Sequence, residues 1–264
     1  MSDCPIGVPV LLQQRRQHVL DLISRQGFAT LSDLARTLGV SESTLRRDLA
    51  YWQERGLLKR LHGGAMYTGD ANLPPLEERS GQNLAEKCAI ARAAVERIRD
   101  GDAMFLDGGT TTLEVAKLLV NRRLQVVTNS LPIAQVLSGS QETDLIMLGG
   151  YVYPKTGVAL GPLLVRMLED VHVQQALMSV SGITPKGLFN SNVLLVESER
   201  AIMRCADEVV VLADHAKFNR PALAHLCELS AIDTVITDPA LPAEYRPLLD
   251  DAGVRLIVAA MDVT

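Results

Sequence analysis

Cysteine is scarce and scattered: Cys4, Cys88, Cys205 and Cys227 form no Cys-x-x-Cys pair and no metal-ligand spacing. A disulfide framework and a zinc site are therefore not expected, and reduced, inert thiols are the default. No apolar run approaches the roughly 20 residues of a membrane-spanning helix. The first residues lack a basic leader with an apolar core, and Pro5 and Pro9 interrupt what apolar character they have. These absences predict a cytoplasmic protein with no membrane partner. There is no Walker A loop and no Gly-x-Gly-x-x-Gly turn, which disfavours nucleotides, and no cofactor is called for. Internal repeats and low-complexity segments are also missing. At 264 residues, 47% hydrophobic and 22% charged, the chain is long enough for one large or two smaller buried cores.

Positive charge is in short supply, with a net −5 that at first argues against nucleic acid. The distribution reverses that reading. Residues 1–66 hold nine Lys/Arg and six Asp/Glu, a balance of +3, and the remainder holds seventeen against twenty-five, or −8. Cationic character concentrated on one small segment is a nucleic-acid signal.

Within that segment, residues 31–65 read as two short helices joined by a tight turn and followed by a hairpin. Leu34, Ala35 and Leu38 mark the buried face of the first, Gly39 allows positive φ, and Ser41 sits at an N-cap position. On the second helix, over about 42–55, Leu45, Leu49 and Trp52 form one stripe. Ser43, Arg47, Ala50 and Glu54 lie opposite, with Arg46 between. A small, hydroxylic, cationic surface near a helix N-terminus suits a DNA major groove. An ordinary amphipathic hairpin with a solvated charged face has the same pattern. The flanking stretch 57–65, which brings Lys59, Arg60 and His62 towards a DNA backbone, favours the DNA reader. The expected contact set is Ser41, Ser43, Thr44, Arg46, Arg47, Lys59, Arg60 and His62. A preceding helix over about 13–26, with Val19, Leu22 and Ile23 buried, completes a three-helix bundle plus wing; Arg15 and Arg16 on it are candidates for phosphate contact.

The predicted organisation is a loose 1–12, a reader over 13–66, a proline-stiffened linker over 67–82, and a larger domain over 83–264 that opens with a helix to about Arg99. Beyond Gly101, short apolar runs alternate with helical stretches. Strands are expected at 103–107, 124–128, 144–149, 175–181, 208–213, 233–237 and 254–259, several apolar on both parities as in a parallel sheet buried on both faces. The fold class is α/β: a winged helix–turn–helix followed by a Rossmann-like domain with a mostly parallel sheet.

Strand after strand ends in small or polar residues: Asp107-Gly108-Gly109-Thr110-Thr111, Thr128-Asn129-Ser130, Gly149-Gly150, Ser181-Gly182, Asp214-His215-Ala216-Lys217 and Thr237-Asp238. In open parallel sheets ligands bind outside the carboxyl ends of the strands. The first cluster opens a helix and is the best phosphate candidate, although a plain strand–turn–helix connection has the same residues. Lys217 is placed to neutralise a dianion and Asp214 to accept from sugar hydroxyls, or the two are simply a surface cation and its acid.

VSESTLRRDL at 40–49 and GLLKRLHGGA at 56–65 resemble the winged helix–turn–helix signature of the DeoR family of bacterial transcriptional regulators. LDGGTTT at 106–112, VTNS at 127–130, LGG at 148–150 and ADHAKF at 213–218 resemble its effector-domain blocks. The resemblance implies a sugar-phosphate-sensing domain related to ribose-5-phosphate isomerase. It places Asp107, Gly109, Thr110 and Thr111 on the phosphate side, with Asn129, Gly150, Asp214 and Lys217 lining the remainder. It further implies that Asn190, Asn192 and Glu197, within GLFNSNVLLVESER, face the sugar. Many relatives carry Ser-Ser before the lysine and Gly after the phenylalanine, where this chain has His215-Ala216 and Asn219; these departures bear on which sugar is bound. His215 is either a pH-sensing group or a hydrogen-bonded structural imidazole.

The expected function is a DNA-binding regulator, a repressor of a sugar catabolic operon acting as a homodimer or homotetramer and released by a phosphorylated sugar. The rival is a sugar-phosphate isomerase on the same fold, with Asp107 or Glu197 as base. A separate basic helical head has no use in such an enzyme. An activator, or a DNA protein that answers no ligand, is a third reading.

Overall fold

The structure is a computed structural model that describes residues 8–26, 28–54, 57–61, 63–67, 74 and 76–261. Cys4, His62 and residues 68–73 and 75 of the expected linker lie outside the described residues. The chain divides into two compact units.

The first unit begins with α1 (Val8–Gln26), which starts five residues before the expected position, so 8–12 are helical rather than loose. A short strand, β1 (Phe28–Thr30), leads into α2 (Leu31–Leu38). The Thr30 hydroxyl accepts from the Asp33 N–H at the start of α2, and Gly39 closes it in the left-handed conformation at φ 65°. Helix α3 (Glu42–Glu54) follows, with Ser41 as its cap: Oγ accepts from the Thr44 N–H at 3.3 Å. Strands β2 (Leu58–Leu61) and β3 (Gly64–Tyr67) form the wing hairpin, and β1 pairs with β3 to give the order β1-β3-β2. Val19, Ile23, Leu34, Leu45, Leu49 and Leu58 form one core, against which Trp52 packs.

One polar group lies inside that core. Asp48, on α3, is 1% exposed, and its carboxylate accepts from Arg15 Nε at 2.7 Å and Nη2 at 3.1 Å and from Arg16 Nε at 3.2 Å. Arg16 also lies over the Tyr51 ring, 3.9 Å from its centroid. The phosphate role expected of Arg15 and Arg16 is thereby corrected: both guanidiniums are turned inward and fasten α1 to α3. A buried carboxylate needs such partners, because an unpaired charge would cost several kcal/mol.

The second unit opens with α4 (Leu76–Gly81) and α5 (Leu84–Val95). Helix α5 was expected to reach Arg99. The last stretch instead tightens, with the N–H groups of Arg97 and Ile98 bonding three residues back, to Ala94 and Val95. Then come β4 (Ala103–Leu106), α6 (Thr110–Leu119), β5 (Leu124–Thr128), α7 (Leu131–Leu137) and β6 (Thr143–Met147). A hairpin of β7 (Tyr151–Tyr153) and β8 (Val158–Leu160) precedes α8 (Pro162–Leu168) and β9 (Val173–Ser179). Strands β10 (Gly182–Thr184) and β11 (Gly187–Asn190) lead to α9 (Val193–Arg204) and β12 (Ala206–Leu212). The chain ends its described part with β13 (Ala224–Cys227), β14 (Thr234–Thr237), α10 (Tyr245–Asp251) and β15 (Arg255–Val258).

All seven expected strands lie in one parallel sheet, ordered β15-β14-β12-β9-β4-β5-β6. The hairpin β7–β8 and the small antiparallel sheet β10-β11-β13 were not expected. Each face of the large sheet has its own core. Met104, Leu106, Val126, Leu177, Val210 and Leu212 pack with α5 and α6. Phe105, Val127, Met178 and Val211 pack with α8, α9 and α10. Among the described residues no helix is long and apolar enough to cross a membrane, and Cys88, Cys205 and Cys227 are free thiols.

Trp52 is the chain's single tryptophan, and its indole N–H donates to the Arg16 carbonyl at 2.7 Å, so its fluorescence reports on the first unit. Asp48→Ala should lower the denaturant midpoint seen by Trp52 fluorescence, costing about 2 kcal/mol, as expected for charged hydrogen bonds lost from a buried group. An unchanged midpoint would show that the carboxylate does not tie the helices together.

Candidate nucleic-acid interface and effector site

In the first unit, Ser41, Ser43, Arg46, Arg47, Lys59 and Arg60 are exposed and Thr44 is half-buried. Three hydroxyls cluster where α3 begins, with Ser41 Oγ 3.0 Å from both Ser43 Oγ and Thr44 Oγ1. Arg46 pairs with Glu42 at 3.2 Å one turn back, and Arg60 is held by the Gln53 side chain, which accepts from its backbone N–H and its Nε. Arg47 and Lys59 make no hydrogen bond or ion pair among the described residues. The outward surface of α3 therefore carries a helix N-terminus, three hydroxyls and one uncommitted guanidinium, a set able to meet phosphates and guanine edges.

In the second unit the sheet order reverses at β4. The chain runs outward through β5 and β6, then returns to place β9 on the other side of β4 and continues through β12, β14 and β15. In open parallel sheets ligands bind at the carboxyl end, where crossovers depart in opposite directions. Here the turn Asp107–Gly109 leads into α6. Gly109 has extended backbone, but a Cβ on it would sit 2.2 Å from Ser179 Oγ, so the close approach of β4 and β9 demands glycine. Gly109 supplies no side-chain cap to α6, and the N–H groups of Thr110, Thr111 and Thr112 make no hydrogen bond among the described residues. The Thr112 hydroxyl is spent on the Gly109 carbonyl at 3.1 Å.

Beside α6, on the same face, lies a group of cations that the sequence reading caught only in part. Lys87 on α5 is buried, its ammonium donating to the carbonyls of Arg79 and Gln82. Arg79 on α4 donates to the carbonyls of Pro74 at 3.1 Å and Lys155 at 3.4 Å. Burial lowers the pKa of Arg79, Lys87 and Lys217, and for Lys217 the charges of Arg220, Lys87 and Arg79 add to the effect. Asp214 opposes it for both lysines. That carboxylate is buried and accepts from Asn83 Nδ2 at 3.0 Å and the Ala216 N–H at 3.1 Å. Lys87 also feels Glu114 and Glu86, and buried Glu114 is itself paired with Lys117, at 2.7 Å. Lys87 carried a signal that went unread: it lies on the apolar stripe of α5, one residue before Cys88.

His215 takes the structural alternative: its N–H and its Nδ1 both engage buried Asp238, at 2.7 and 3.0 Å.

On the opposite face of the sheet, Asp107 and Glu199 come together. Asp107 is 2% exposed and its pKa is pushed up to about 7 by burial, against backbone hydrogen bonds from Gly108 and Ser179. Glu199 is raised well above the ordinary range by burial and then by the Asp107 charge. Asn190 binds it, the Nδ2 donating to Glu199 Oε1 while Oδ1 accepts from Ser181 Oγ and the Ser191 N–H. Glu197, expected to face the sugar, is exposed on α9 and does not reach Asn190; the buried acid is Glu199. Helical spacing held the clue, since 193, 197, 200 and 204 form the outer stripe and 199 falls on the inner one.

Asn129 is buried beside this pair, donating from Nδ2 to the Ala159 carbonyl at 3.2 Å. Asn192 caps the next helix, its Oδ1 accepting from the Leu194 N–H at 2.8 Å. Gly150, at φ 156°, approaches the β8 backbone so closely that a Cβ would lie 2.6 Å from the Leu160 carbonyl oxygen, which is reason enough for glycine there. A cavity of 450 Å³ opens at the other end of the sheet, lined by Arg97, Arg99, Asp102 and Gln175 among others. Arg97 and Gln175 are both bound to Glu208, so that cavity is already charge-compensated.

Asp107 makes the second unit sensitive to pH in a defined direction. Its unfolded value is 3.8 and its folded value about 7, so between these limits the unfolded chain ionises first and stability falls as pH rises. Asp107→Asn should remove that slope: the melting temperature of the variant relative to wild type should climb from pH 4 to pH 7 and then level off. A constant difference would mean that Asp107 ionises normally in the fold.

Comparison with known proteins agrees with both halves. Residues 15–70 match the DeoR-like helix-turn-helix domain, and residues 82–239 match the DeoR C terminal sensor domain. The glycerol-3-phosphate regulon repressor of Escherichia coli (strain K12) is 31% identical over 92% of this chain and 97% of its own. The HTH-type transcriptional regulator IolR of Bacillus subtilis (strain 168) is 33% identical over 93% of this chain and 98% of its own. Among solved structures, ribose 5-phosphate isomerase A of Methanocaldococcus jannaschii aligns over 50% of this chain and 53% of its own, at 18% identity and a TM-score of 0.37. With a DNA-binding head and a sensor domain each matched in its own place, the chain belongs to the DeoR family of transcriptional regulators.

Proposed function

We propose that this regulator is a cytoplasmic repressor that binds operator DNA as a homo-oligomer and is released by a phosphorylated sugar. The ligand half of this reading is carried by one observation. The start of α6 presents three unbonded N–H groups beside the dehydrated cations Arg79, Lys87 and Lys217. A helix N-terminus with such neighbours suits a phosphate dianion. The relatives named as repressors, one of them of a glycerol-3-phosphate regulon, support the same sign of regulation and the same ligand chemistry.

On the DNA side, Ser41, Ser43, Thr44 and Arg47 face the major groove, and Arg46, Lys59, Arg60 and His62 face the backbone. On the ligand side, Gly109, Thr110 and Thr111 hold the phosphate with Lys217, while Asp107, Asn129, Asn190 and Asp214 line the rest. Gly150 supports the covering hairpin. The segment 67–82 joins the 13–66 reader to the 83–264 sensor and is where their geometry changes. Coupling of the two sites needs a differential affinity of only about 1–3 kcal/mol.

Two substitutions separate the halves. Arg47→Ala should weaken specific operator binding by about 1–3 kcal/mol in a gel-shift titration while leaving non-specific binding nearly unchanged. Full operator affinity in the variant would remove α3 from the interface. Lys217→Ala should bind operator as wild type does but resist release by hexose or pentose phosphates; normal release would place the ligand elsewhere.

A further inference from the structure

The polar groups at the carboxyl end of the sheet are sorted by sign across its edge. Strand alternation places Asp214, two residues beyond Leu212, on the α5–α6 face with Lys87 and Lys217. It places Asp107, two beyond Phe105, on the α9 face with Glu199. Asn129, two beyond Val127, shares that face, and the register Leu106↔Thr128 sets Asp107 and Asn129 side by side.

The acidic side holds buried acceptors with nothing donated to them. Asp107 Oδ2, Glu199 Oε2 and Asn129 Oδ1 are all buried, come from three different elements, and have no hydrogen-bond partner. Asn190 gives one of its two Nδ2 hydrogens to Glu199 Oε1. Burial raises both carboxyls, and Glu199 feels the Asp107 charge as well. Buried acceptors left in this state cost free energy that a donor would recover.

We propose that Asp107, Glu199 and Asn129 form an ammonium-recognising subsite, so that the effector is an amino-sugar phosphate rather than its plain hydroxyl counterpart. The inference rests on the phosphate reading above, because it uses the α6 end and its cations to hold the other pole of the ligand. An ammonium offers three N–H donors to three waiting acceptors. A phosphate at one pole and an ammonium at the other match the cationic and acidic sides of the sheet edge in order. Ends of β4 and β12 are separated by two strand spacings of about 4.8 Å, a span that a hexose bearing both groups can bridge. Val158 of β8 lies over Gly108, so a ligand enters by displacing the β7–β8 hairpin.

The test is calorimetric titration of the full chain with glucosamine 6-phosphate, glucose 6-phosphate and inorganic phosphate. Glucosamine 6-phosphate should bind at least about tenfold more tightly than glucose 6-phosphate, the equivalent of one charged hydrogen bond. E199Q and D107N should each narrow that ratio towards one. Equal affinity of the two sugar phosphates for wild-type protein overturns the ammonium subsite and leaves the phosphate reading standing. Absence of binding by all three overturns both. If a variant fails to fold, the wild-type ratio still decides, and a ratio that persists in both folded variants places the selectivity on other residues and overturns this assignment.

Discussion

Strand β4 is where the strand order of the sensor sheet reverses, and the proposed ligand site follows from that reversal. Its neighbours, β5 on one side and β9 on the other, are reached by crossovers that leave in opposite directions, so the carboxyl end of the sheet between them is covered by the β7–β8 hairpin rather than by a crossover. Polar residues collect there because the backbone of a strand end must find partners while the apolar layers stop short of it. The sheet itself supplies the walls: both faces are filled with aliphatic side chains, which exclude water and keep the few charges at the rim poorly solvated.

That poor solvation gives the rim its selectivity. A lysine in water is indifferent to a distant acid, whereas buried Lys87 and Lys217, brought together by α5 and the turn after β12, are lowered by burial and both supported by the Asp214 charge. Burial raises Glu199, and the Asp107 charge adds to it. The two sets are divided by the sheet, because alternation along a strand sends neighbouring residues to opposite faces. A ligand lying across the edge therefore meets cations on one side and acids on the other, and its charge distribution matters more than its shape.

Much of this was legible in the sequence, for reasons that can be named. Several strands of the large sheet are apolar on both parities because both faces are covered there, a pattern that half-exposed strands do not share. The hairpin β7–β8 and strands β10 and β11 were not legible, being three or four residues long with glycines and tyrosines that signal turns as readily as strands. The turn 107–112 was readable because a strand, two glycines and three threonines meet in one place. Glu199 and Lys87 were missed for the same cause: a charged residue on the inner stripe of a helix looks like an interruption of the apolar pattern. Arg15 and Arg16 failed in the converse way. Their charge was visible, but the partner that turns them inward, Asp48, lies 33 and 32 residues away along the chain.

The reader shows why a count of its charges misjudges its grip on DNA. Arg36 pairs with Asp33 and Arg46 with Glu42, all at exposed positions one turn apart. Such pairs are worth at most about 1 kcal/mol, so a DNA phosphate can replace the carboxylate at little cost. The Arg15–Asp48–Arg16 group is different, since freeing either guanidinium would strand a carboxylate that is 1% exposed. Arg47 and Lys59 have nothing to give up. The cations available to DNA are thus the free and the loosely paired ones. Their number, rather than the +3 of the whole segment, sets how many counterions binding releases and how steeply affinity falls with salt.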